Sequence, residues 1–182
     1  MTRDQLEHLL RAASRIAGER DVIVIGSQAI LGSFDESDLP DEAIGSIEAD
    51  VCFRDDPVVA LADLVDGAIG ELSAFHQSFG VYAQGVSTST AILPPGWESR
   101  LVVFESPGTE PGRGLCLEPH DLVAAKLAAG REKDFEFARA LMSERLVDRA
   151  TLIRRIADLP VDGGTCERLT AWVAAQGGGG PR

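Results

Sequence analysis

Asp21 to Gly32 reads DVIVIGSQAILG and Ser46 to Phe53 reads SIEADVCF, and these two stretches decide the fold. In the first, four β-branched apolar residues, Val22 to Ile25, break at Gly26-Ser27 into Gln28-Ala29-Ile30-Leu31, which has helix-forming character. The pattern predicts a buried strand, a tight turn and the start of a helix. In the second, Ile47, Ala49, Val51 and Phe53 alternate with Glu48, Asp50 and Cys52, which predicts a strand with one apolar face. Residues two apart on a strand point the same way, so Glu48 and Asp50 are expected side by side.

Two like charges on neighbouring same-face positions repel unless solvent or a cation lies between them. Mg²⁺ suits such a pair because it accepts one or two carboxylates, keeps waters and bridges to phosphates. The Gly26-Ser27 turn offers N–H groups and a hydroxyl at the opening of a helix, where phosphate is attracted. Metal site and phosphate site together suggest nucleotide chemistry. The plainer alternative takes the E-x-D pair as a solvated face and Gly-Ser as a turn; the two motifs in order, with a third toward the C-terminus, favour chemistry.

That third motif lies in PHDLVAAKLAAGREKDFEFARALM, residues 119–142. Leu122, Val123, Ala125 and Leu127 mark a helix from Pro119 to Ala129 with Gly130 as its stop, and Phe135, Ala138, Leu141 and Met142 mark the next. Lys126, Arg131, Lys133 and Asp134 are thereby expected to meet near Gly130. A lysine aimed at a triphosphate, with an acid to orient it, fits phosphoryl transfer, where positioning and charge stabilisation dominate. An ordinary charged helix pair is the alternative.

A strand, Gly-Ser, a helix and then a strand bearing a carboxylate-x-carboxylate pair resembles the DNA polymerase beta-like nucleotidyltransferases. Over roughly Asp21 to Met142 the chain is most similar to their minimal AbiEii-type branch, known from toxin-antitoxin and phage-defence systems, whose members carry a helix lysine followed by an R-x-K-D-like segment. Two departures stand out: Glu48-Ala49-Asp50 replaces the usual Asp-x-Asp, and the gap from Ser27 to Glu48 is longer than the commonest spacing. The resemblance implies a metal-dependent enzyme moving a nucleotidyl group from a nucleoside triphosphate to an acceptor hydroxyl. RNA is the implied acceptor class, for instance a transfer RNA end, and an antitoxin the implied protein partner. Glu48 and Asp50 would hold Mg²⁺, Gly26, Ser27 and Arg131 would bind phosphates, Lys126 would offset transition-state charge and Asp134 would position it. Glu105, at the end of a strand predicted over Leu101 to Phe104, is the candidate third carboxylate. The competing expectations are a non-catalytic member of the fold that binds a nucleotide or a protein partner, suggested by the longer Glu48 side chain, and an unrelated α/β interaction protein.

At 182 residues and 45% hydrophobic, the chain can bury a full core. The expected class is α/β (α+β), a small mixed sheet flanked by helices: a nucleotidyltransferase-like core over 1–118, a helical C-terminal section over 119–176 packed on it, and a flexible tail over 177–182. Cys52, Cys116 and Cys166 are too dispersed for a disulfide framework, and His8, His76 and His120 lack zinc-ligand spacing. No apolar run approaches the roughly 20 residues of a membrane span, and the charged N-terminus is no signal peptide, so the expectation is a cytoplasmic protein with no membrane partner. A net charge of −12 opposes tight binding along long nucleic acids. Between Lys126 and Arg155, however, eight basic residues face five acidic ones, a local basic surface for a nucleotide or an RNA end.

Elsewhere, Thr2 and Gln5 form a capping box for a helix with Leu6, Leu9, Leu10, Ala13 and Ile16 on one face, ending at Gly18. Asp35, Glu36, Asp38, Asp41 and Glu42 fall in a loop over 33–45 and read as solvated. Pro57 reads as the first residue of a helix buried through Val58, Leu61, Leu64, Val65, Ala68 and Leu72. Short strands are expected over Val81 to Val86, Thr90 to Leu93 and Leu115 to Leu117. Asp148 and Thr165 read as N-caps of the last two helices.

Overall fold

The structure, a computed structural model, describes residues 1–176; the tail expected over 177–182 lies outside them. Five strands form a mixed sheet in the order β3 (Tyr82–Gly85), β2 (Glu48–Cys52), β1 (Asp21–Val24), β5 (Arg113–Cys116), β4 (Val102–Phe104). The central β1 runs antiparallel to β2 and parallel to β5; β3 runs parallel to β2, and β4 antiparallel to β5. Val22 and Val24 are fully buried, as expected of a strand covered on both faces. The chain is thus the α/β protein, a mixed sheet flanked by helices, that its patterning predicts.

One face is covered by α1 (Arg3–Ala17) and α3 (Ala60–Ile69), which also pack on each other, with the short α4 (Ala74–Phe79) against α3 and β3. The Thr2–Gln5 capping box opens α1, Gly18 closes it at φ 72°, and Leu6, Leu9, Leu10 and Ala13 are fully buried. The other face carries a 3₁₀ segment (Ser27–Gly32) and the helical section: α5 (Pro119–Ala129), α6 (Glu132–Ser143), α7 (Arg149–Ala157) and α8 (Gly163–Ala175). Asp121 on α5 ties this section together. It is fully buried and takes Arg100 bidentately at 2.7 and 3.1 Å, while Arg155 Nε of α7 stands 2.8 Å away, off the hydrogen-bond direction. A buried carboxylate needs such cations close by. Among the described residues, no helix is long and apolar enough to cross a membrane.

Several local expectations are corrected. The helix after Gly26 is 3₁₀ and six residues long, because it is pressed onto β5: a Cβ on Gly32 would lie 2.5 Å from that of Cys116. The helix expected from Pro57 begins only at Ala60. Val59 takes a left-handed conformation at φ 60°, and Asp56 Oδ2 accepts from Ala62 N at 2.9 Å, so Pro57 and Val58 belong to the preceding turn. Its buried stripe is accordingly Ala62, Val65 and Ile69, and Val58, Leu64 and Leu72 are exposed. Residues Thr88–Thr90 form a 3₁₀ turn and no strand follows at 90–93. Asp162 caps α8, accepting from Thr165 N at 3.0 Å, which places Thr165 inside the helix. The acid-rich loop folds at its end into the four-residue α2 (Asp41–Ile44).

Candidate active site

β2 places Ala49 and Val51, both fully buried, toward α1 and α3, and Glu48 and Asp50 toward the opposite face, as the alternation requires. That face opens into a cleft of about 760 Å³. Gly26, Ser27, Glu48, Asp50, Lys126, Arg131 and Asp134 all line it, so the residues expected to hold cation and phosphates are brought together. Glu105 is not among them. It pairs with Arg20 at 2.6 Å beyond the end of β4, and β1 and β5 lie between β4 and β2. The expected third carboxylate is therefore a surface ion pair.

The turn and the carboxylate strand are interlocked. Ile25 N donates to Asp50 O at 3.1 Å, and a Cβ added to Gly26 would fall 1.7 Å from Asp50 Oδ2. Gly26 is required here for close approach, since any side chain would occupy the space of the carboxylate. Ser27 begins the 3₁₀ segment, whose first N–H groups, like those of an α-helix, have no partner within the helix.

Burial, followed by the charge of Glu48, pushes the Asp50 carboxyl above its ordinary range. Glu48 is tethered from the neighbouring strand: Tyr82 Oη donates to Glu48 Oε2 at 2.6 Å. That hydrogen bond, with burial, holds the Tyr82 phenol well above its usual pKa. Tyr82 was not legible as a site residue, because only the β2–β3 register, Glu48 opposite Tyr82, puts it there.

The far wall is the α5–α6 corner. Asp134, almost fully buried, receives Arg131 at 2.7 and 3.2 Å and Lys126 Nζ at 3.2 Å. Lys126 Nζ also stands 5.3 Å from the centre of the Phe137 ring. Burial lowers the Lys126 pKa and Asp134 opposes that shift; burial raises the Asp134 carboxyl, yet Arg131 and Lys126 together hold it below the ordinary range. Lys126 is not the outward-reaching lysine of a plain surface helix. Lys133 lines the cleft as well, as do Asp41 and Glu42 of α2, two acids that the sequence placed in a solvated loop.

Two adjacent carboxylates, one half-buried with a raised pKa, form a donor set suited to a hard divalent cation that keeps part of its water shell. Among the described residues no third His, Cys, Asp or Glu joins them in a metal-holding group. A family model described as "nucleotidyltransferase of unknown function" (DUF6036) matches residues 4–159. No curated protein and no solved structure matches the chain.

Proposed function

The chain belongs to the DUF6036 nucleotidyltransferases, and from that premise we propose that it moves a nucleotidyl group from a nucleoside triphosphate to an acceptor hydroxyl, with RNA as the acceptor class and Mg²⁺ as cofactor. The observation that carries this reading is the contact of the Gly26 turn with Asp50, facing Lys126, Arg131 and Asp134 across one cleft. Glu48 and Asp50 would hold Mg²⁺, which when bound supplies charge neutralisation to the triphosphate.

The chain's own groups have separable tasks. The N–H groups and Ser27 hydroxyl of the turn receive phosphate oxygens, and Gly26 lets the backbone approach them. Asp134 fixes Lys126 and Arg131 before substrate arrives, so their charge needs little reorganisation as negative charge develops. Lys133 and Arg131 form the basic side of the cleft that meets an RNA end. The AbiEii-type resemblance adds a toxin-antitoxin setting with an antitoxin as protein partner. Incubation with each labelled triphosphate, Mg²⁺ and total RNA tests the reading: label in RNA supports it, and none with any of the four triphosphates argues against it.

The second reading, a nucleotide-binding protein without catalysis, draws on two features: Glu48 is held by Tyr82, and no third carboxylate joins the pair among the described residues. Mg²⁺-dependent triphosphate binding with no incorporation would favour it.

A further inference from the structure

β3 alternates across the sheet. Ala83 is fully buried, and Gly85 lies against α3, where an added Cβ would meet Ala62 O at 1.9 Å. Tyr82 and Gln84 point the other way. The parallel β2–β3 register pairs Glu48 with Tyr82 and Asp50 with Gln84, and residues directly paired on neighbouring strands share a face. The Tyr82–Glu48 hydrogen bond and the presence of Gln84 in the same cleft wall as Asp50 both fit that placement. Gln84 is exposed. The residue thus occupies a third corner of the cleft wall beside the two carboxylates, where no His, Cys, Asp or Glu completes a metal-holding group among the described residues.

The identity of this side chain matters because the pair has little charge to spare. The cleft already holds five carboxylates, Asp41, Glu42, Glu48, Asp50 and Asp134, against three cations, Lys126, Arg131 and Lys133. A sixth carboxylate at the corner would create room for more cationic charge. A carboxamide does not ionise; it offers an oxygen acceptor and two N–H donors, which suit a substrate group better than a second metal ion.

We propose that Gln84 fills the third corner as an uncharged neighbour of the carboxylate pair and thereby holds the site to a single divalent cation. The proposal rests on the reading of Glu48 and Asp50 as cation ligands, but its test needs neither triphosphate nor acceptor. Mn²⁺, a hard octahedral stand-in for Mg²⁺, is titrated into the whole protein without nucleotide, and free Mn²⁺ is followed by electron paramagnetic resonance. The wild type is expected to bind one ion per chain. Gln84→Glu is expected to bind a second ion, because ligand charge count sets affinity in oxygen sites. Gln84→Ala is expected to match the wild type within about twofold, since a group that is not a ligand can be removed without loss. Because Gln84 is exposed, both variants are expected to fold, checked by circular dichroism. A Glu variant that still binds one ion at whatever affinity, two ions on the wild type, a large loss in Gln84→Ala, or no ion on any of the three overturns the proposal. Failure of RNA labelling with this Mn²⁺ pattern intact would instead count against nucleotidyl transfer alone.

Discussion

Asp50 sits where ionisation is unfavourable, since burial and Glu48 both push its carboxyl up. In the unfolded chain the same carboxyl ionises at lower pH, so between the ordinary and the raised value the folded protein binds the extra proton. Stability therefore falls as pH rises through that window and stays lower above it. Asp50→Asn removes this penalty. At pH 7 without divalent cations it is predicted to raise the urea midpoint, while weakening Mg²⁺ by about 100-fold or more through loss of a ligand. A lower midpoint with undiminished Mg²⁺ affinity would contradict both assignments. Tyr82→Phe tests the tether on Glu48: a freed carboxylate is predicted to bind Mg²⁺ about 10-fold more weakly, with Mg²⁺ calorimetry as the measurement. Unchanged affinity would make the hydrogen bond a structural contact only.

At the scale of elements, the turn after β1 and the strand β2 act as one unit, because Gly26 leaves the space that Asp50 fills. Gly26→Ala is predicted to swing the Asp50 side chain aside and abolish Mg²⁺-dependent triphosphate binding with the sheet intact; normal binding by the folded variant would show that the close approach is dispensable. The α5–α6 corner is a second unit. Asp134→Ala strands Lys126, whose side chain is 11% exposed, in a site without its carboxylate. Breaking such a buried pair costs about 3 kcal/mol, readable as a lower urea midpoint, whereas a loss near zero would mean that Phe137 and solvent suffice for the lysine. Both units were legible from sequence, since Gly-Ser after a β-branched run, E-x-D alternation and Gly130 as a helix stop are local signals. Glu105 departs from its expected place for a non-local reason: strand order, which local patterning does not encode, puts β4 at the far edge of the sheet. Tyr82 and Gln84 carry no local signal on the same ground, because register with β2 is what makes them neighbours of the carboxylates. The α3 start slipped by three residues since Asp56 caps from a distance and Val59 adopts a left-handed conformation that Pro57 gave no sign of.

Taken whole, the molecule carries a net charge of −12, and even its cleft holds more carboxylates than cations. A triphosphate approaching this surface meets repulsion unless a cation accompanies it, so binding is expected to be cation-dependent as well as cation-assisted. The most direct measurement is calorimetric titration of a non-hydrolysable triphosphate analogue into the wild type and Asp50→Asn, each with Mg²⁺ and with chelator. Heat of binding is predicted only for the wild type with Mg²⁺. Binding by the wild type in chelator, or by Asp50→Asn in Mg²⁺ with wild-type affinity, would contradict the assignment of Glu48 and Asp50 as the cation site.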